Sequence, residues 1–317
     1  MATDKAPNAL PSKQDLLSER DLAIVRTIAD YRFMQAIDVV YSLATLKQLP
    51  HYRRILSALS GGDVGHAQVL FRFPVPTLTK GTKPRVYAVG AKGWELLAQE
   101  GYYRPYKLRS LSFGHIWHAL TLTRFVCAAE YYCRTQTKYI LSQKKLSYEL
   151  AQRPPEVTVK SEGRSIPVTV VPDAYLCFQR PDGEIFSVLV EIDRGTEYQE
   201  RFKDHVRGRL ELILSGTFTR VFQTQAVIVA YAAAGLPPES RERRRMTMQR
   251  WTQEVIAERM PNNAKRQQQW LGIFRFCSLP EDIYTNVYAL FAEPWWYIPN
   301  SASPVPLFAC PQPEEIT

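Results

Sequence analysis

The chain has 317 residues, of which 45% are hydrophobic and 22% are charged, a composition typical of folded globular proteins and not of disordered, collagen-like or coiled-coil chains. This length is sufficient for two domains. Lys and Arg number 40 against 31 Asp and Glu, and the resulting net charge of +9 favours a polyanionic partner, with nucleic acid the first candidate.

The cysteines and the apolar segments point to a reducing compartment. The five cysteines are odd in number and form no C-x-x-C pair, so neither a zinc site nor a disulfide framework is indicated. The N-terminal segment has no apolar core of a signal peptide, and no stretch reaches the ~18 apolar residues of a membrane span. We therefore expect a cytoplasmic protein that is not embedded in a membrane.

The positive charge and a break in periodicity divide the chain. Residues 1–112 carry +7 of the net +9. Helical periodicity is interrupted between residues 103 and 114, before a long apolar helix predicted from Ile116. We expect a flexible N-terminus over 1–17, a first domain over 18–103, a linker over 104–114, a second domain over 115–298 and a flexible Pro-rich tail over 299–317.

The first domain begins with three predicted helices. Ser18 and Asp21 provide the polar N-cap and the acidic third position of a helix. A second short helix is predicted over 33–41 and a third over 51–59, ended by glycines. This order is typical of a helix-turn-helix, in which the N-terminal end of the third helix meets base edges. The candidate DNA-binding residues at that end are His51, Tyr52, Arg53 and Arg54.

A hairpin and a closing helix follow in the first domain. Strands are predicted over 69–73 and 85–89, and a helix over 92–98. The segment between the strands is basic and contributes the DNA-binding candidates Lys80, Lys83 and Arg85, in the position of a wing. A small α/β domain with a solvated basic face is the alternative. The coincidence of the charges with both the third helix and the hairpin favours DNA binding.

The second domain is predicted to be α/β. A helix over 116–132 carries His118 near its start and Glu130 near its end, and strands are predicted over 138–142 and 166–171. Two longer strands, over 173–178 and 185–193, are joined by a turn. A helix over 197–214 and a strand over 225–231 complete a strand-helix-strand crossover.

Three carboxylates are predicted to converge at the end of this hairpin. Side chains alternate along a strand, so Glu191 and Asp193 share a face, and the antiparallel pairing brings Asp173 beside them. Such a cluster needs a hard cation, and Mg²⁺ commonly bridges carboxylates to substrate phosphates. These three residues are therefore candidate catalytic residues and metal ligands. The equally weighted alternative is a solvated turn in which Asp193 and Thr196 cap the next helix.

The sequence leaves open the roles of two further sets of positively charged residues. Lys203 lies at the edge of the inward stripe of the 197–214 helix and is a candidate catalytic residue if its amine reaches the strand ends, or a plain surface lysine otherwise. Arg241, Arg243, Arg244, Arg245 and Arg250 begin a later helix. Contact with phosphates and simple solvation are equally compatible with that pattern.

Taken together, these residues resemble the replication-relaxation family of plasmids and other mobile elements. The resemblance covers roughly residues 18–232. It is carried by the Ser18–Asp21 helix start, Arg53 and Arg54, the segment from Tyr87 to Gly93, His118, and above all Pro172-Asp173 followed by Glu191-Ile192-Asp193-Arg194-Gly195-Thr196-Glu197. It implies a mixed α/β protein in which a winged helix-turn-helix precedes a domain similar to the PD-(D/E)XK restriction-endonuclease fold.

The resemblance also implies a function. Asp173 and Glu191 match the acids of the nuclease pattern, Glu130 is a candidate for its additional acid, and Asp193 replaces the lysine that usually activates the attacking water. We expect a DNA-binding protein acting in replication, relaxation or mobilisation. The alternatives are an active Mg²⁺-dependent endonuclease or nickase and a transcriptional regulator. The expected partners are double-stranded DNA and replication or mobilisation proteins, with a homodimer among the arrangements left open.

Overall fold

A computed structural model of the chain describes residues 17–61, 69–74, 85–102, 112–161 and 164–309. The chain divides into two compact units, residues 1–111 and 112–317, called here the N-terminal and the C-terminal unit. The mixed α/β fold class expected from the sequence is confirmed. No helix in the described part of the chain combines the length and the apolar character needed to cross a membrane.

In its described residues, the N-terminal unit combines four helices with a small sheet. The helices are α1 (Glu19–Tyr31), α2 (Ala36–Leu43), α3 (Leu49–Leu59) and α4 (Ala91–Ala98), and a 3₁₀ turn over Leu46–Gln48 precedes α3. The Ser18 side chain accepts a hydrogen bond from the Asp21 backbone N–H at 3.2 Å, which confirms the predicted start of α1. Pro50 lies in the first turn of α3, where a missing N–H is tolerated.

The sheet of the N-terminal unit has three antiparallel strands in the order β1-β3-β2. They are β1 (Met34–Gln35), β2 (Leu70–Pro74) and β3 (Arg85–Val89). The sequence did not predict β1, and the helix expected from residue 33 begins only at Ala36, because Met34 and Gln35 pair with Tyr87 and Val86. Gly93 of α4 is required sterically, since a Cβ there would lie 2.4 Å from the Val69 carbonyl oxygen.

The C-terminal unit is built on a seven-stranded mixed sheet. Its strands, in chain order, are β4 (Ile140–Leu146), β7 (Ala174–Gln179), β8 (Ile185–Asp193), β9 (Ala226–Ala233), β10 (Phe274–Ser278), β11 (Trp296–Tyr297) and β12 (Pro304–Val305), and a separate hairpin comprises β5 (Glu156–Ser161) and β6 (Arg164–Thr169). The spatial order is β12-β11-β10-β9-β8-β7-β4. The central pairs β8–β9 and β9–β10 are parallel and the others antiparallel.

Helices cover this sheet. They are α5 (Phe113–Gln136), α6 (Ser147–Leu150), α7 (Gln199–Leu214), α8 (Thr217–Phe222), α9 (Pro238–Arg259), α10 (Ala264–Leu271) and α11 (Val287–Ala292), with a 3₁₀ turn over Ile283–Asn286. Every residue of β9 is buried, as expected for a central strand of such a sheet. Phe202 of α7 and Trp251 of α9 pack together in one core cluster, whereas Phe125 of α5 packs on Phe291 and Trp296.

Both ends of the predicted second domain need correction. Helix α5 begins at Phe113 and not at Ile116, because Ser112 caps it by accepting a hydrogen bond from the His115 backbone N–H. The tail predicted to be flexible from residue 299 is ordered as far as residue 309: β12 pairs with β11, and Leu307 and Phe308 are buried. Most of the predicted linker lies outside the described residues.

Candidate functional site

Helix α3 exposes basic side chains of the N-terminal unit. His51, Arg53 and Arg54 are exposed, whereas Leu56 and Leu59 are buried against the rest of the unit. The N-terminal half of α3 therefore presents two guanidinium groups and an imidazole to solvent. The Arg20 guanidinium approaches the same end of α3, with its Nη1 3.3 Å from His51 Nε2.

The assignment of Tyr52 as a DNA-contacting residue is wrong for this structure. Its side chain is only 7% exposed, and it lies at helical spacing from Leu56 and Leu59 on the inward stripe of α3. Tyr52 therefore contributes to the core. Lys80 and Lys83, the two lysines predicted to contact DNA from the hairpin, lie outside the described residues.

Arginines of the hairpin join those of α3. Arg85 is exposed at the start of β3, and Arg72 of β2 pairs directly opposite Tyr87 of β3. Burial raises the pKa of the Tyr87 hydroxyl, and the charges of Arg85, Arg72 and Arg53 oppose that rise. Arg72 and Arg85 share a face of the sheet with Tyr87, because the first pairs opposite it and the second lies two residues before it on β3. The sequence did not single out Arg72. We call the set His51, Arg53, Arg54, Arg72 and Arg85 the N-terminal basic surface.

The C-terminal unit contains a polar cleft of about 580 Å³. Asp173 directly precedes β7, and Glu191 and Asp193 end the antiparallel neighbour β8, so the three carboxylates reach the same edge of the sheet, as predicted. Residues of α5, β6 and α7, together with Tyr231 of β9, complete the wall of the cleft. We refer to this space as the carboxylate cleft.

Asp173 is held by two donors. His118 Nε2 of α5 lies 3.0 Å from Asp173 Oδ1, and the Ile192 backbone N–H donates to Asp173 Oδ2 at 2.7 Å. Burial alone would lower the pKa of His118, but the hydrogen bond and the charge of Asp173, together with Glu191, raise it above its ordinary value. The imidazole is thus biased toward the protonated, cationic form beside Asp173.

Glu191 forms a buried ion pair with Arg209 of α7. Arg209 Nε and Nη2 lie 2.7 Å and 2.6 Å from Glu191 Oε1, and Nη2 also donates to the Val171 carbonyl oxygen at 3.2 Å. The pKa of Glu191 is raised to about 7, chiefly by burial; the charge of Asp173 adds to the rise and the charge of Arg209 opposes it. The sequence did not predict Arg209 in the site.

Asp193 is engaged by Arg244 of α9 in a bidentate pair. Arg244 Nε donates to Oδ1 and Nη2 to Oδ2, both at 2.8 Å, and the Gly195 backbone N–H donates to Oδ1 at 2.7 Å. Gly195 adopts φ 73°, a conformation that favours glycine. Arg241 and Arg245 of the same helix are buried and hydrogen-bonded, whereas Arg244 is half-buried. Neither phosphate contact nor solvation, the two interpretations of that arginine run, describes these three residues.

The carboxylates do not form one metal-ligand set. Among the described residues, no group of three or more His, Cys, Asp or Glu side chains is arranged to hold a metal ion. Both oxygens of Asp193 are occupied by Arg244, and Oε1 of Glu191 is occupied by Arg209, so the donor set predicted for Mg²⁺ does not fit a shared ion in this arrangement. Magnesium as a cofactor of the protein stays a prediction.

Lys203 and Glu130 lie elsewhere. Lys203 Nζ is 2.9 Å from Glu254 and 3.8 Å from Glu258, both on α9, so its side chain does not reach back to the strand ends as a catalytic amine would have to. Glu130 pairs with Lys144 of β4 at 2.5 Å. It follows His118 by twelve residues of α5, a distance of about 18 Å along the helix, and it is not the additional acid of the cleft.

The comparisons with known proteins identify a family. Residues 26–228 match the family described as replication-relaxation, which is more than half of the chain. The chain belongs to the replication-relaxation family. No curated protein and no solved structure matches it.

The replication-relaxation match spans both candidate sites. It includes α3, the hairpin strands, His118, the three carboxylates and Arg209, whereas Tyr231 and Arg244 lie beyond it. Membership of the replication-relaxation family suggests a role in the replication or relaxation of a plasmid or other mobile element.

The raised pKa of Glu191 predicts how stability depends on pH. A group whose pKa is higher in the folded state stabilises the fold fully below its ordinary pKa, here 4.5, and this contribution is lost as pH rises through about 7. The loss from this one group is at most about 3 kcal/mol. His118 acts in the same direction above its ordinary pKa of 6.5.

Urea unfolding of wild type and Glu191→Gln at pH 5 and pH 8 measures this effect. Tryptophan fluorescence is a suitable signal, because all the tryptophans except Trp94 belong to the C-terminal unit. We expect the difference in unfolding free energy between the two pH values to be smaller in Glu191→Gln. Equal differences in both proteins would contradict the assignment.

Proposed function

We propose that this chain is a DNA-binding protein of a plasmid or other mobile element, and that it binds double-stranded DNA through the N-terminal basic surface. The observation that carries the proposal is that exposed Arg53 of α3 acts electrostatically on the same side chain, Tyr87, as Arg72 and Arg85 of the hairpin, which share a face of the sheet with it. These cations come from two separate elements of the N-terminal unit, the helix α3 and the β2–β3 hairpin. A solvated charge run on one helix does not produce such an arrangement.

The element order supports a winged helix-turn-helix. Helices α1, α2 and α3 are followed by the β2–β3 hairpin, and the short β1 adds a third antiparallel strand. In winged helix-turn-helix domains the third helix enters the major groove and the hairpin contacts the neighbouring backbone. Exposed Arg53 and Arg54 at the start of α3 are suited to base edges, and Arg72 and Arg85 to phosphates.

The salt dependence of duplex binding by the wild-type chain tests the proposal. Counterion release makes the logarithm of affinity fall with the logarithm of salt concentration, with a slope of about −0.9 for each phosphate neutralised. Three to five contacts from the basic surface predict a slope of about −2.7 to −4.5. Undetectable binding at low salt, or an affinity unaffected by salt, would contradict the proposed function.

The C-terminal unit is proposed to be a nuclease-like scaffold that contacts replication or mobilisation proteins. Its likeness to the PD-(D/E)XK arrangement rests on Asp173 and Glu191 at adjoining ends of antiparallel strands, followed by α7 and the parallel strand β9. The ion pairs of Glu191 and Asp193 with buried arginines favour a scaffold over an active enzyme. Glu191 and Asp193 are thus each paired with a positively charged side chain of the same chain.

An active Mg²⁺-dependent endonuclease is the second candidate. It is favoured by one observation, the gathering of His118, Asp173 and Glu191 in a single cleft. Incubation of supercoiled plasmid with the protein in Mg²⁺ and in EDTA separates the candidates, with Asp173→Asn as the control. The scaffold predicts no nicking in either condition, whereas nicking that needs Mg²⁺ and Asp173 would establish the nuclease.

A further inference from the structure

Each of the three acids of the carboxylate cleft is paired with a basic side chain of the same chain. Asp173 faces His118, Glu191 faces Arg209 and Asp193 faces Arg244. Arg209 is the most enclosed of the three cations, with a side chain only 6% exposed. A buried guanidinium keeps its charge at all ordinary pH values, so this internal cation is permanent.

We propose that the guanidinium of Arg209 occupies the position of a divalent cation in the carboxylate cleft, so that removing it converts the cleft into a metal site. Two kinds of oxygen surround the guanidinium, the Glu191 carboxylate at 2.6 and 2.7 Å and the Val171 main-chain carbonyl at 3.2 Å. Carboxylate and main-chain carbonyl oxygens are the donors that hard divalent cations use. Asp173 is the second carboxylate of this cleft, held beside β8 by the Ile192 backbone N–H at 2.7 Å.

Repulsion excludes a metal ion while Arg209 is in place. A divalent cation bound by Glu191 would lie within a few ångströms of the buried guanidinium, and like charges at such distances repel strongly where water is excluded. Displacing the guanidinium would leave a buried charge without its partner, which is equally unfavourable. Asp193 is not available to bind the ion instead, because Arg244 engages both of its oxygens.

Tyr231 supplies a second observation, a buried hydroxyl beside the carboxylates without a hydrogen-bond partner among the described residues. Tyr231 of β9 pairs opposite Glu191 in the parallel register and lines the cleft. Its side chain is 2% exposed, and its hydroxyl has no hydrogen-bond partner in the described part of the chain. In Arg209→Gln, water carried by a metal ion between Glu191 and Asp173 would supply that partner, since Mg²⁺ and Mn²⁺ sites usually retain bound water.

The inference concerns metal uptake only and stands independently of DNA binding. Isothermal titration of the full-length chain with Mn²⁺ at pH 8 tests it, without DNA. Arg201→Gln is the matched control: Arg201 also lines the cleft on α7, but its side chain is 70% exposed and its ion pair is with Glu197. Wild type and Arg201→Gln should show no saturable binding, whereas Arg209→Gln should bind about one Mn²⁺ per chain. The double variant Arg209→Gln, Glu191→Gln should lose that binding.

Each other result decides against the inference. Saturable Mn²⁺ binding by the wild type that Glu191→Gln abolishes would show that the guanidinium does not exclude the metal. A folded Arg209→Gln that binds no Mn²⁺ would show that the oxygens do not form a site. If Arg209→Gln is unfolded without metal, Mn²⁺ should restore its circular dichroism spectrum, because metal binding is coupled to folding; failure to do so would also overturn the inference.

Discussion

Replacing Arg53, Arg72 and Arg85 together by alanine should lower the affinity of the chain for duplex DNA by at least two orders of magnitude. Each arginine that contacts a base contributes about 1–3 kcal/mol, and each that contacts a phosphate contributes through counterion release. The three side chains come from α3, β2 and β3 and all act electrostatically on Tyr87. Their joint removal therefore eliminates the centre of the N-terminal basic surface.

The matched control is Lys92→Ala. Lys92 is an exposed cation of the same unit, on α4 and therefore outside both α3 and the hairpin. Fluorescence anisotropy with a labelled duplex at several salt concentrations measures both affinity and slope. The triple variant should also have a slope smaller in magnitude by about 1 for each phosphate that the protein no longer neutralises. The triple variant removes three charges and Lys92→Ala removes one. A loss in Lys92→Ala of about a third of that in the triple variant, compared as logarithms of affinity, would show that net charge alone governs binding.

Arg244→Ala should lower the free energy of unfolding by about 3–5 kcal/mol, the usual cost of leaving one partner of a buried ion pair alone. Asp193 would keep its charge in a side chain that is only 4% exposed, with the Gly195 N–H as its remaining donor. Arg244 also stacks over Trp251, with its guanidinium 5.0 Å from the ring centre, and the substitution would remove this packing.

Two comparison variants make this result specific. Arg243→Ala removes an exposed arginine from the preceding position of α9 and should change stability by about 0.5 kcal/mol or less. The double variant Asp193→Asn, Arg244→Met should recover much of the stability, because no buried charge is left unpaired. Urea unfolding measures all four proteins. If Arg244→Ala is as stable as Arg243→Ala, the pair does not stabilise the fold.

Local patterns were sufficient to predict much of the fold. The Ser18 cap and the helical spacing that follows predict α1, and the apolar run ending at Glu191 and Asp193 predicts β8 with the correct bounds. By contrast, β1 is two residues long and exists only because Met34 and Gln35 pair with β3, which lies some fifty residues later in the chain. A two-residue strand has no periodicity to read.

The residues of the carboxylate cleft could be predicted only in part from the sequence. The convergence of Asp173 with Glu191 and Asp193 follows from hairpin geometry, but the cations that balance these acids come from other elements. Asp193 and Arg244 are 51 residues apart, and no spacing rule joins them. The inward position of Arg209 could have been predicted, since it lies three residues after the buried Val206 on the inward stripe of α7.

The same periodicity identifies two errors of assignment. Tyr52 lies four residues before Leu56 and seven before Leu59, so the burial of all three on one stripe of α3 could have been predicted. The sequence placed Lys203 at the edge of an inward stripe of α7, but the direction in which its side chain extends depends on its contacts with α9. Glu254 of that helix, 2.9 Å away, draws the amine away from the strand ends.

Hydrogen exchange of the full-length chain with and without duplex DNA tests the central claim most directly, because it locates the contact on the chain. If the N-terminal basic surface binds DNA, amides of α3 (Leu49–Leu59) and β3 (Arg85–Val89) should exchange more slowly in the complex, and this protection should vanish at high salt. Protection confined to residues 112–317, with α3 and β3 unchanged, would contradict the account.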